Sequence, residues 1–346
     1  MLAALKKELV LRKDEFKDEV VETLYFGGGT PSVLEVNEIK DLINSVYTHY
    51  QVTENPEITI EANPDDLSKE KIVQLSNSPV NRLSIGIQSF FEQDLRMMNR
   101  AHNANEAEVC ITEAKKYFDN ISIDLIYGIP DMTNERWREN LEKALSFGIP
   151  HISSYALTVE PKTALANFIK KGKVKPIDDA QAQMHFNLLY EVLIKEGYDC
   201  YEVSNFGKPG YYSKNNTAYW LGKKYMGIGP SAHSFNGERR AWNINNNPKY
   251  LKAIEQGELP MTTEALSKID KYNEYIMTGL RTSWGISMER IQIEFGKKHA
   301  DYLKQHVQKH LENGLLIQSK DNLVATKKGK FLVDGIASDL FMINLG

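Results

Sequence analysis

Cysteine is almost missing from this sequence. Its only two, Cys110 and Cys200, stand far apart in 346 residues. That excludes a disulfide framework and any all-cysteine metal or iron–sulfur site within the chain. Each reads as a small buried hydrophobe, and a reducing cytoplasm suits both. No stretch of eighteen apolar residues occurs, so no membrane-crossing helix is expected. The start, Met1-Leu2-Ala3-Ala4-Leu5-Lys6-Lys7, lacks the apolar core of a signal peptide. A surplus of positive charge is also lacking. Forty-two Lys and Arg stand against 46 Asp and Glu, a net charge of −4, which argues against a nucleic-acid partner held by a basic surface. There is no Gly-x-Gly-x-x-Gly fingerprint, which disfavours a dinucleotide-binding domain.

What is present is the composition of an ordinary globular chain, 42% apolar and 25% charged. The length suits one large α/β unit of roughly 200–250 residues and a smaller appendage. Five segments read as strands by length and alternation: 23–26, 57–63, 82–89, 121–128 and 151–157. Helical spacing fills 35–50, 106–118 and 134–147, so the order is βαβ and the sheet parallel. Residues 2–20 also read as a helix. A β/α fold that begins on a helix implies that a first strand and its loop lie outside this sequence. Residues 179–196 form an amphipathic helix stopped by Gly197. The stretch 197–247, rich in Gly, Asn and Tyr, is too long for a plain loop and is expected to hold short strands or a functional segment. From 266 onward three helices (269–282, 287–295, 299–313) precede a hairpin at 315–326 and a last helix, a winged-helix-like α+β layout. Twelve Lys and Arg against ten Asp and Glu beyond Pro260 are too few for a phosphate-binding face.

The chemistry-bearing residues cluster at strand ends. Gly27-Gly28-Gly29-Thr30-Pro31 follows the first strand, leaving the backbone open to a ligand. The carboxyl ends of parallel strands are where β/α barrels place their sites. Glu61 ends the second strand and Gln88 the third, and Asp124 lies in the fourth. Together they suggest a ring of hydrogen-bonding groups around one pocket. Arg100, after the third strand, offers a fork for a carboxylate.

Four segments carry a resemblance: Tyr25–Ser32, Ile60–Pro64, Arg82–Phe90 and Ile123–Pro130. In that order they resemble the successive motifs of the radical S-adenosylmethionine (SAM) enzymes related to oxygen-independent coproporphyrinogen III oxidase. Tyr201–Phe206, Gly227–Ser234 and Gly279–Gly285 resemble segments of the family's haem-chaperone branch, HemW, and the likeness covers essentially the whole chain. The resemblance implies a partial (β/α)6 barrel, here missing its first strand, over 1–178. It implies a connecting region over 179–265 and the winged-helix-like module over 266–346. It also implies SAM contacts. Gly28, Gly29 and Thr30 would receive the amino group, and Glu61 the ribose hydroxyls. Gln88, Arg100 and Asp124 would line the amino-acid and ribose ends, with Ile126 and Ala156 flanking the adenine.

Two departures from the family pattern stand out. The family carries Cys-x-x-x-Cys-x-x-Cys ahead of the triple glycine to hold a [4Fe–4S] cluster. No residue before Gly27 is cysteine. The expectation is either a chain truncated at its N-terminus, the favoured reading, or a natural non-radical relative; as it stands it would bind no cluster, make no radical and be inactive. The branch also carries a histidine, implicated in haem ligation, where Asn215 stands in Ser213–Trp220. That puts haem ligation in question, with His233 the nearby substitute. No catalytic residue or metal ligand is assigned. The functions implied are a haem chaperone of porphyrin metabolism, coproporphyrinogen III oxidation, or cluster-free binding of haem or a partner.

Overall fold

The computed structural model describes residues 1–161 and 163–343. In chain order the first elements are α1 (Leu2–Leu11), β1 (Val20–Phe26), α2 (Val36–His49), β2 (Gln51–Ala62), α3 (Lys69–Ser76), β3 (Arg82–Gln88), α4 (Glu92–Met97), α5 (Ala104–Ala114) and β4 (Ile121–Tyr127). Then come α6 (Asn134–Ser146), β5 (His151–Ala156), α7 (Ala164–Lys170), α8 (Asp179–Lys195), β6 (Asp199–Glu202), β7 (Asn205–Gly207), α9 (Lys214–Trp220), β8 (His233–Phe235), β9 (Arg239–Asn243) and α10 (Asn247–Glu255). The last part holds β10 (Met261–Ala265), α11 (Lys268–Arg281), β11 (Ile286–Ser287), α12 (Met288–Arg290), α13 (Lys297–Glu312), β12 (Leu316–Ser319), β13 (Asn322–Ala325), α14 (Lys327–Lys330) and α15 (Val333–Asp339).

Two compact units result. One comprises 25–36 and 57–212; the other comprises 1–24, 37–56 and 213 onward. The principal sheet has seven strands in the order β1-β2-β3-β4-β5-β7-β6 and curls as a half-barrel. β2, β3, β4 and β5 pair in parallel, as the strand–helix alternation requires. β7 and β6 add on antiparallel after β5.

The strands are two-faced because successive side chains alternate. Leu83, Ile85 and Ile87 of β3, with Ile121, Ile123 and Leu125 of β4, form an apolar face that is fully buried. Trp137, Leu141 and Ala144 of α6 and Leu189 and Leu193 of α8 are buried as completely. The Trp137 indole N–H donates to the His185 carbonyl at 2.9 Å, so the largest core side chain leaves no polar atom stranded. Burying such a side chain contributes about 2–3 kcal/mol. The opposite face is polar: Thr59 and Glu61, Ser84 and Gln88, Ser122 and Asp124, His151 and Ser153. One register thus fixes both the core and the polar face, since a one-residue slip would exchange them.

The other unit is held by a buried carboxylate. Glu8 of α1 accepts from the Gly229 N–H (2.8 Å), the Asn243 amide (2.7 Å), the Tyr250 hydroxyl (2.5 Å) and the Arg12 guanidinium (3.3 Å). Glu8 and Arg12 are 0% and 1% exposed. Its short β8, β9 and β10 form an antiparallel sheet in the order β10-β9-β8. A second three-stranded sheet, β11-β13-β12, lies in the C-terminal part.

Several sequence expectations need correction. The first helix ends at Leu11, not at residue 20. The Arg12 side chain turns into the buried cluster, donating also to the Gly227 carbonyl, the Ser234 hydroxyl and Glu15. The β-branched pair Val20-Val21 then opens β1. β2 begins at Gln51, six residues early, running through Pro56. The helix expected over 287–295 is interrupted: Ile286–Ser287 pair with β13, and Ile291–Phe295 wind as a π-turn. The hairpin at 315–326 is therefore part of a three-stranded sheet. The stretch 197–247 does contain short strands, as its length required.

Candidate functional site

β1 delivers the triple glycine. Gly28 and Gly29 adopt φ of +73° and +141°, a backbone that glycine enters without strain. The turn bends back over β2, where the Gly28 N–H donates to Glu61 Oε2 at 3.3 Å. The other Glu61 oxygen accepts from the Tyr25 hydroxyl at 2.6 Å. Gly27 is required by space: a Cβ there would lie 2.6 Å from the Tyr25 ring and 2.8 Å from Glu61 Oε1. Burial, then the Glu61 charge, raises the Tyr25 hydroxyl pKa above its ordinary value, keeping it a proton donor.

β3 supplies the opposite wall. A bulge between Gly86 and Gln88, paired against β4, re-aims the strand end. Gln88 itself sits at φ +61°, a left-handed backbone rare for a side-chain-bearing residue. Its Oε1 is buried and meets no hydrogen-bond donor among the described residues. A Cβ on Gly86 would lie 2.6 Å from the Gln88 amide nitrogen, so glycine keeps this wall open. Behind the strand, Ser89 donates to Asp94 (2.8 Å) and the Phe90 N–H to Asn140 (2.7 Å), fixing the turn. His102 is buried with its Nε2 3.1 Å from the Ile87 carbonyl, tying down the loop that carries Arg100.

These residues enclose an open cleft of about 180 Å³, lined by Gly29, Thr30, Pro31, Glu61, Ala62, Asn63, Ser84, Gly86, Gln88, Arg100 and Asp124. Six sequence-chosen residues line it together: Gly29, Thr30, Glu61, Gln88, Arg100 and Asp124. Gly28 joins through its bond to Glu61. Ile126 and Ala156 lie outside that lining, half-buried at the carboxyl ends of β4 and β5, where Tyr127 pairs with Ala156. Sequence reading did not pick out Asn63, Ser84, Gly86 and Tyr25. Period-two spacing from Glu61, Gln88 and Gly27 was the available signal.

The electrostatics are those of an acceptor-rich pocket with one cation. Burial first, then repulsion from Glu61, pushes the Asp124 carboxyl up to about 6, against hydrogen bonds from Ser153 and Ser84 and the attraction of Arg82. Arg100 lies below its usual value because of burial, opposed by Asp124 and Asp65. A raised carboxyl pKa makes the folded state hold its proton more tightly than the unfolded one. Asp124 therefore lowers stability as pH rises from about 4 to about 6, and its effect is constant above that. The Asp124→Asn protein should lack this slope, so its stability relative to the parent should rise by about 2 kcal/mol between pH 4 and pH 7 in denaturant titrations. A pH-independent difference would show that burial leaves this carboxyl unperturbed.

The curled sheet and its carboxyl-edge cleft define a radical SAM-type barrel. The Radical SAM superfamily model matches residues 4–157, and the HemN C-terminal domain model matches 266–332. The chain is 34% identical to the heme chaperone HemW of Lactococcus lactis over 341 residues, covering 95% of this chain and 89% of that protein. It is 33% identical to the heme chaperone HemW of Bacillus subtilis over 336 residues, covering 96% and 88%. The chain belongs to the HemW family of radical SAM proteins. The solved coproporphyrinogen III oxidase (HemN) of Escherichia coli, described as a radical SAM enzyme, shares the fold with a TM-score of 0.80 at 24% identity, over 99% of this chain and 82% of that one.

The residues present fit SAM. Carboxylates and amide oxygens at Glu61, Asn63, Gln88 and Asp124 suit hydroxyls and positive charge; Arg100 suits a carboxylate; the Gln88 Oε1 awaits a donor. Among the described residues no group of His, Cys, Asp or Glu is placed to hold a metal ion. Cys110 and Cys200 are buried at 3% and 5% exposure, and burial pushes the Cys110 thiol up to about 12. No helix of the described residues is long and apolar enough to cross a membrane.

Proposed function

We propose that this chain is a haem-handling member of the HemW family whose cleft binds SAM. The carrying observation is its 33–34% identity, over nearly its full length, to curated heme chaperones. The cleft's donor and acceptor set supports the cofactor half of the reading. Glu61 would accept the ribose hydroxyls while Tyr25 holds its second oxygen. The Gly28-Gly29-Thr30 turn would seat the amino group. Arg100 would pair with the carboxylate, and Gln88 and Asp124 would accept from the remaining donors. Ile126 and Ala156 would flank the adenine from β4 and β5. When bound beside a reducing cluster, SAM supplies a 5′-deoxyadenosyl radical. The cleft of this chain would orient and shield SAM.

For haem, the reading concerns the unit containing α9. Asn215 accepts from the Thr23 hydroxyl at 3.1 Å, and an amide is a poor iron ligand. His233 is exposed at the start of β8, its ring stacked 6.2 Å from Trp242. We assign haem and porphyrin as cargo and the cytoplasm as location.

The test is calorimetry with SAM and optical titration with haem, on this chain and on Asn215→His. SAM should bind at micromolar strength. Asn215→His should tighten haem binding about tenfold or more. No 5′-deoxyadenosine should form with reductant. Absence of SAM binding defeats the cofactor reading, and absence of haem binding to either protein defeats the chaperone reading. Turnover of coproporphyrinogen III would replace both with oxidase activity.

A further inference from the structure

Two turns meet at one corner of the cleft. The first carries the triple glycine. A Cβ on Gly28 or Gly29 would meet nothing within 4 Å, so no packing confines this backbone at those positions. A glycine turn without such packing does not hold one shape by itself. Past Thr30 the chain closes into the short 3₁₀ turn Pro31–Val33, with the Val33 N–H donating to the Thr30 carbonyl at 3.1 Å. The second turn follows β2. It is the 3₁₀ turn Pro64–Asp66, in which the Asp66 N–H donates to the Asn63 carbonyl at 3.1 Å. Thr30 and Pro31 from the one, and Asn63 from the other, line the cleft.

Ser32 joins the two turns. It is 0% exposed. Its hydroxyl donates to Asp66 Oδ2 at 2.7 Å and accepts from the Asn63 N–H at 3.4 Å. The partners set both directions, since a carboxylate accepts and a backbone N–H donates. The Ser32 carbonyl accepts from the Lys71 ammonium of α3. The triple-glycine turn is thus tied on both sides: at Gly28 to Glu61, and at Ser32 to Asp66. The second tie ends on a carboxylate, which makes it the stronger kind of hydrogen bond. Neither Ser32 nor Asp66 lines the cleft, so a ligand there touches Thr30 and Asn63 but not the tie between them.

We infer that Asp66, acting through Ser32, is a positioning residue for the cleft: it locks the triple-glycine turn against the Asn63 turn and so fixes where both present their polar groups to a ligand. Without the carboxylate the Ser32 hydroxyl is free to rotate. The Asn63 N–H then loses a fixed acceptor, and the glycine turn is held only by the 3.3 Å bond at Gly28 and by Lys71. The role in binding rests on the SAM reading, but the anchoring of the turn does not.

The test has one arm without ligand and one with it. In the full chain labelled with ²H and ¹⁵N, the first readout is exchange of the Gly28 amide with water, because that amide touches neither Ser32 nor Asp66. Asp66→Ala should speed it about tenfold, and Asp66→Asn should stay within about threefold of the parent, because an amide oxygen still accepts. The Ile85 and Ile123 amides of β3 and β4 should keep their rates. The second readout is calorimetry with SAM. Asp66→Ala and Ser32→Ala should each weaken binding about tenfold, and the double variant no further, as for residues that act as a unit. An unchanged Gly28 rate in Asp66→Ala overturns the inference. So does a SAM affinity within twofold of the parent, or losses that multiply in the double variant. A general loosening, with Ile85 and Ile123 exchanging faster and Asp66→Asn no better than Asp66→Ala, reduces Asp66 to a structural residue and also overturns it. If the parent binds no SAM, the SAM reading fails and the exchange arm alone decides. If Asp66→Ala does not fold, the Gly28 rate in Ser32→Ala, which removes the same tie, decides instead.

Discussion

Replacing Glu61 by alanine should weaken SAM binding by about a hundredfold while leaving the fold intact. The carboxylate touches both the triple-glycine turn and the Tyr25 hydroxyl. Its loss removes the proposed acceptor for the ribose hydroxyls and frees the turn. It also leaves the Tyr25 donor without its partner. Charge-assisted hydrogen bonds of this kind contribute about 1.5–3 kcal/mol each, so losing one bond and some preorganisation accounts for the factor. Glu61 lies at the partly exposed strand end rather than in the apolar layer, so the unfolding midpoint should change little. Glu61→Gln should retain part of the affinity, since an amide oxygen can still accept. Calorimetry on the three proteins is the measurement. An alanine variant within threefold of the parent would remove Glu61 from the site.

The largest stability loss is expected at Glu8→Ala, about 3–5 kcal/mol. Four donors converge on this carboxylate, among them a guanidinium that is itself 1% exposed. Truncation leaves the Arg12 charge with only Glu15 as an acidic partner, together with the Gly227 carbonyl and the Ser234 hydroxyl. It also strands the Asn243, Tyr250 and Gly229 donors in a space water reaches poorly. Removing one side of a buried ion pair costs more than the pair contributes, because the remaining partner stays desolvated. A denaturant series with the slope unchanged would isolate the effect. A loss below about 1 kcal/mol would mean that water replaces the carboxylate.

Much of the half-barrel was legible because its strands are buried on one face and polar on the other. Ile60-Glu61, Ile87-Gln88 and Ile123-Asp124 each put a core residue next to a cleft residue, so one alternation revealed both. Residues 12–19 misled because Phe16 continues the helical spacing of Leu2, Leu5 and Leu9. What ends the helix is a partner more than two hundred residues away, at Gly227 and Ser234. β7 and β6 were hidden for another reason. They have three and four residues, too short for periodicity to register, and the pairing of β7 with β5, with β6 added on β7, is a long-range choice. In the site, period-two spacing from Gln88 places Gly86 on the cleft face but does not say what a glycine does there. A glycine in a strand has many uses, and only the 2.6 Å approach to the Gln88 amide shows this one.

The Glu8 cluster also sets a schedule for synthesis. A ribosome makes α1 long before the groups that satisfy its carboxylate, which are at positions 229, 243 and 250. At about 5–20 residues per second, the nascent helix waits on the order of ten to fifty seconds for them. Throughout that interval Glu8 and Arg12 must stay hydrated at the surface of an unfinished chain. Residues 25–36 and 57–212, in contrast, are complete before that wait ends. The cleft can therefore be in place before Glu8 and Arg12 find their partners, and an early stop in translation would release a protein with its pocket formed and α1 still unanchored.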